Sequence, residues 1–118
     1  MPRTRTVDPE GFLPLKPNDY LLLLALSEGD RHAYALKKDV ARRTGDRVRL
    51  GPGTLQRSIA GLAARGLAEE SPNRPDPELD DERRRYYRLT PLGRAVMSAE
   101  TGRLAVLVAA ARRTRWAR

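Results

Sequence analysis

Residues 51–67 read Gly51-Pro52-Gly53-Thr54-Leu55-Gln56-Arg57-Ser58-Ile59-Ala60-Gly61-Leu62-Ala63-Ala64-Arg65-Gly66-Leu67. Pro52 falls in a first helical turn, where its missing N–H leaves no bond unmade. Gly66 is a natural stop. Leu55, Ile59 and Leu62 recur at i, i+4 and i+7, so one face of this helix points inward. The opposite face carries Arg57, Ala60, Gly61 and Ala64, flanked by Thr54 and Gln56, and no acidic residue. Small side chains let such a helix sink into a DNA major groove about 12 Å wide. Its N-terminal end can also meet a phosphate. Alone, the same pattern describes an amphipathic helix with an alanine-rich solvent face, and the surrounding elements decide between the two.

Upstream, a helix is expected after Pro17, capped by Asn18 or Asp19 and nearly apolar from Tyr20 to Leu26. An apolar surface on all sides implies burial on most of them. Glu28-Gly29-Asp30 is a turn signal. A second helix follows from about His32 to Arg43, with Tyr34, Leu36 and Val40 on one face and Lys37, Lys38, Arg42 and Arg43 on the other. Val48-Arg49-Leu50 alternates briefly and reads as a minimal strand. Downstream, Leu67–Ser71 and Arg85–Thr90 read as two strands around a Pro-rich charged loop, Pro72–Arg84. Pro91-Leu92-Gly93 starts a last helix that continues to the C-terminus.

Three helices, a hairpin and a long helix give a mainly α chain with a small β-hairpin, an α+β winged helix-turn-helix. Residues 1–16, with Pro2, Pro9 and Pro14, are expected as an extended N-terminal arm. Residues 17–90 form the winged helix-turn-helix, and 91–118 a C-terminal dimerisation helix with an arginine-rich tail.

The composition narrows the partners. The 118 residues carry a net charge of +8 and contain no cysteine, with a pI near 10.7. A basic excess of this size implies a polyanion. Arginine suits phosphate and guanine, because its guanidinium donates two hydrogen bonds at once. Absence of cysteine removes thiol chemistry and Cys-based metal sites and fits a reducing compartment. No apolar run approaches the roughly 20 residues that span a bilayer, so the expectation is a cytoplasmic protein without membrane contact. The single histidine, His32, lacks a second ligand or catalytic partner in sequence. The carboxylates Asp76, Glu78, Asp80, Asp81 and Glu82 lack the central glycine of a calcium loop. No cofactor, metal or enzymatic activity is expected.

The wing is expected to place Arg83, Arg84 and Arg85 on backbone phosphate or in the minor groove. With Thr54, Gln56 and Arg57 near the bases, Gly53 and Gly61 keep the helix surface low, and Lys37 and Lys38 extend the basic surface. In the last helix Val96, Leu104, Leu107 and Val108 form an apolar stripe that needs a cover. A second copy fits, assisted by Leu22 of the first helix and by Trp116 among the terminal arginines. A symmetric dimer would pair two recognition helices over a palindromic site.

Four motifs in order resemble the PadR-type transcriptional regulators: His32-Ala33-Tyr34-Ala35-Leu36, Pro52-Gly53-Thr54-Leu55, Leu62-Ala63-Ala64-Arg65-Gly66-Leu67, and Arg85-Tyr86-Tyr87-Arg88-Leu89-Thr90-Pro91-Leu92-Gly93. The resemblance spans roughly residues 13 to 100. It implies a homodimer, usually a repressor of double-stranded DNA targets, sometimes released by a small hydrophobic or phenolic effector. By matched position it implies that Thr54, Gln56 and Arg57 meet DNA, with Tyr34 and the wing arginines beside them, and that the last helix makes the dimer. Three positions depart from the pattern. Ala33 replaces a common glycine, Gln56 a frequent tyrosine and Ala63 the usual glutamate; the second leaves the operator sequence open. The alternative is a winged helix used as a protein- or RNA-binding adaptor, since basic charge serves RNA as well as DNA.

Overall fold

The computed structural model describes residues 7–72 and 85–114. Among them the order is a 3₁₀ turn (Pro9–Phe12), α1 (Pro17–Leu26), β1 (Arg31–His32), α2 (Ala33–Arg43), α3 (Pro52–Ala64), β2 (Ala68–Ser71), β3 (Tyr86–Leu89) and α4 (Pro91–Arg112). The three strands form one antiparallel sheet in the order β1-β3-β2. This is the expected winged-helix arrangement of helices and hairpin.

Helix α1 is the hub. Leu22, Leu23 and Ala25 have no exposed surface, because the helix touches α2, α3, α4 and β3. That accounts for its run of leucines: a helix packed on every side has no place for a polar stripe. Leu36 and Val40 of α2, Leu55, Ile59 and Leu62 of α3, Leu67, and Val96 of α4 complete the core. Each such side chain contributes roughly 1.5–3 kcal/mol through removal from water. Leu22 and Val96 are expected at a dimer interface; both are wholly enclosed in the chain's own core and have no surface to offer a partner.

Several expected boundaries move for local reasons. The strand at Val48–Leu50 does not form. Val48 N–H donates to the Thr44 hydroxyl at 3.0 Å, while Leu50 is drawn into the core. The third strand is instead Arg31–His32, paired with Tyr87 and Tyr86; two residues are too few to show a period. Helix α1 begins at Pro17 with Lys16 as its N-cap, without a side-chain cap bond. Asp19, expected as a candidate cap, lies buried and accepts from Nη2 of Arg65, the C-cap of α3, at 2.8 Å. His32 is the cap of α2, its Nδ1 accepting from Ala35 N–H at 3.2 Å. Gly66 stops α3 in the left-handed region at φ 76°. Leu67 N–H then reaches back to Leu62 O at 2.9 Å, the six-to-one bond of a glycine-terminated helix.

The N-terminal stretch departs from a simple extended arm. Its 3₁₀ turn packs on α4, and Leu15 N–H donates to Glu100 Oε2 at 2.9 Å. Glu100 is only 1% exposed, yet Arg103 grips it twice, at 2.5 and 2.9 Å. The Arg103 hydrogen bond holds the Glu100 carboxyl below its ordinary value of 4.5, burial opposes this, and the Leu15 N–H adds to the lowering. A lowered folded-state value means that the charge stabilises the fold above the usual carboxylate range and ceases to as pH falls through the folded value. Glu100→Gln should therefore be less stable than the parent at pH 7, and the gap should narrow below about pH 4. Urea midpoints at pH 7 and pH 3 check this; a gap that stays constant would remove Glu100 as the source.

Candidate nucleic-acid interface

The turn between α2 and α3 fixes how α3 is presented. Thr44 Oγ1 donates to Val40 O at 2.9 Å, and Gly45 and Asp46 take positive φ of 59° and 66°. That reversal leads through buried Leu50 into Gly51 and Pro52. Burial of Leu55, Ile59 and Leu62 then turns Gln56, Arg57, Ala60 and Ala64 outward, as the spacing predicts. Thr54 and Gly61 are half-buried at the flank, and Gly53 is exposed in the first turn.

Arg57 lies back along its own helix. Its Nη2 is 3.4 Å from Thr54 Oγ1, and its Nη1 is 3.3 Å from where a Cβ on Gly53 would be. The low surface at Gly53 thus leaves the guanidinium room. On α2, Tyr34 is 59% exposed, and Lys38 Nζ stands 5.4 Å from its ring centroid. A groove of about 360 Å³ between α2 and the segment that leads into α3 is lined by Tyr34, Lys37, Lys38 and Arg49 among others. Arg49, which lies 3.9 Å from Asp46, is a lining residue that the sequence reading does not single out. The only signal was its place in the basic stretch Arg47-Val48-Arg49, which reads more readily as a strand.

The electrostatics separate structural from available cations. Arg42 and Arg43 pair with Asp39, and Arg43 also with Glu28. The bond to Asp39 is the chief cause that raises the Arg43 value. Arg65, Arg88 and Arg103 pair with Asp19, Glu69 and Glu100. Among the described residues no carboxylate lies in ion-pair range of Lys37, Lys38 or Arg57. Arg85 is exposed immediately before β3. Arg83 and Arg84, and the acidic residues Asp76 to Glu82, lie outside the described residues.

Helix α4 changes character along its length. Its first half buries Gly93, Val96 and Glu100. Beyond them Leu104 is half-buried, while Leu107 and Val108 are 51% and 49% exposed. Val106, missed because it falls off the 104–107–108 stripe, is 67% exposed. Trp116 lies outside the described residues. Among the described residues no helix is long and apolar enough to cross a membrane.

Comparison with known proteins agrees with this geometry. A transcriptional regulator from Clostridium thermocellum shares the fold at TM-score 0.63 and 23% identity, over 83% of this chain and 84% of that one. BldR, a transcriptional regulator of Sulfolobus solfataricus, does so at TM-score 0.62 and 24% identity, over 84% and 62%. A PadR family transcription regulator from Clostridium difficile aligns at TM-score 0.63 and 20% identity, over 78% and 91%. A 37.1 kDa protein carried by transposon Tn4556 of Streptomyces fradiae is 34% identical over 95 residues, 79% of this chain. The chain spans 25% of that relative's length. The PadR-like transcriptional regulator family matches residues 22–99. With that match running from the core of α1 to the middle of α4, the chain belongs to the PadR-like family of transcriptional regulators.

Proposed function

We propose that this chain is a homodimeric repressor that reads a palindromic operator with α3 in the major groove. The observation that carries this reading is the outer face of α3. It offers Thr54, Gln56 and Arg57 with low surface at Gly53 and Gly61, no carboxylate, and unpaired Lys37 and Lys38 alongside. Arg57 is the base-reading group, because a guanidinium can take two acceptors on a guanine edge. Tyr34, Lys37 and Lys38 border the backbone, and Arg83, Arg84 and Arg85 serve the wing's contact with backbone or minor groove. Leu104, Leu107 and Val108 of α4 meet a second copy, with Trp116 beyond them. Release by a small hydrophobic or phenolic effector belongs to the same reading on family likeness alone.

Fluorescence anisotropy with duplex DNA from upstream of the chain's own gene, against a scrambled duplex, tests it. The native duplex should be preferred by about 10³ or more near 150 mM salt. Arg57→Ala should cost about 1–3 kcal/mol on the native duplex and relax preference at one base per half-site. An Arg57→Ala protein with undiminished specificity would remove α3 as the reading element.

A further inference from the structure

A second groove, of about 570 Å³, runs along the α1 side of α3, where Lys16 and Asn18 at the start of α1 face Arg57 and Gly61 of α3. Its single carboxylate among the described residues, Asp19, is buried and already satisfied by Arg65 at 2.8 Å. That pair is neutral as a unit. Lys16 and Arg57, neither in ion-pair range of a carboxylate among the described residues, leave the groove doubly positive. We propose that this groove seats a backbone phosphate of the duplex, with Lys16 as its principal cation. The proposal rests on the DNA-reading role of α3 given above.

The geometry follows from sizes. A helix with its side chains is about 10–12 Å across, and the major groove is about 12 Å wide. A helix that enters it therefore has a phosphate strand on each side. The lysines of α2 line the first groove, at the segment that leads into α3, with Arg49, Leu50 and Gly51. On the α1 side, the groove with Lys16 provides the corresponding cation, and Gly61 keeps its wall low: a Cβ there would meet only Arg65 Nη2, at 3.8 Å. The Asp19–Arg65 bond supports the site by fixing the start of α1 against α3. Lys16 is exposed, and its side chain makes no capping bond. Its charge is thus free for a ligand.

A phosphate contact carries no sequence information, so its loss has a signature of its own. Lys16→Ala should weaken binding to native and scrambled duplexes by the same factor, about fivefold per half-site near 150 mM salt, and reduce the slope of log K against log salt by about 0.9 per half-site. Lys16→Arg should restore both. Asn18→Asp provides a fold-safe second variant: a carboxylate in the first helical turn favours the helix, yet it should weaken binding to every duplex. An unchanged salt slope in Lys16→Ala, or a loss confined to the native duplex, would overturn the phosphate assignment while leaving α3 as the reader. If the parent protein binds neither duplex, the DNA-reading role fails first and this inference with it.

Discussion

Gly93→Ala should destabilise the fold by about 4 kcal/mol or more, enough to leave much of the protein unfolded or insoluble. A Cβ on Gly93 would lie 1.9 Å from the carbonyl oxygen of Leu67 and 2.8 Å from its carbon. Those are backbone atoms, so no side-chain rotation relieves the overlap. Nor is that backbone free to move. Leu67 O accepts from Thr90 N–H at 3.2 Å, and the Thr90 hydroxyl donates to Gly66 O at 2.6 Å. The same hydroxyl oxygen accepts from Gly93 N–H at 2.9 Å, capping α4. To make room, α4 must lift from the end of α3, and it would take Val96 and the Glu100–Leu15 bond out of the core with it. Chemical denaturation of the purified variant checks this. A change within 1 kcal/mol would mean that the close approach of α4 to Leu67 is not a requirement of the fold.

Leu107→Asp should have the opposite profile, leaving the protomer intact and removing its assembly. Leu107 is 51% exposed in the single chain, so an aspartate there meets water and costs little. In a dimer joined through the second half of α4, the same carboxylate would be buried without a partner, which is strongly unfavourable. Sedimentation should report a monomer, with the circular dichroism and melting behaviour of a folded protomer. Operator affinity should fall by about 100-fold or more, because two linked half-site contacts bind far more tightly than one. A dimer that survives Leu107→Asp would exclude this face and direct attention elsewhere on the protein.

The two variants divide α4 where its burial divides. Pro91 to Glu100 carries the residues of α4 that are buried in the winged-helix core, and beyond them Val106, Leu107 and Val108 keep about half or more of their surface exposed. The periodicity of α4 gives no hint of that division. Val96 and Leu104 fall on one stripe, yet Val96 is fully enclosed while Leu104 keeps part of its surface. A stripe says that a face is covered and is silent about which chain covers it.

Much of the architecture was legible because it depends on short-range rules. The spacing of Leu55, Ile59 and Leu62, the proline at the start of α3 and the glycine after it specify a helix, its inward face and its end. Gln56, Arg57 and Ala60 are outward as a direct consequence. The leucine run of α1 implies a helix buried on most sides, and Leu22, Leu23, Ala25 and Leu26 are buried. The lack of acidic residues on α3 and the lysines of α2 needed only the residue types. What tertiary structure alone decided depends on neighbours distant in sequence. Arg31–His32 becomes a strand only because β3 lies alongside it. Asp19 becomes an anchor for Arg65 instead of a helix cap because α3 packs against the start of α1. Lys16, in a segment without period, joins the α3 surface only through that packing. Leu22 is enclosed by the chain's own core for the same reason. Local sequence sets which side chains avoid water, but only the folded chain decides which surface removes them from it.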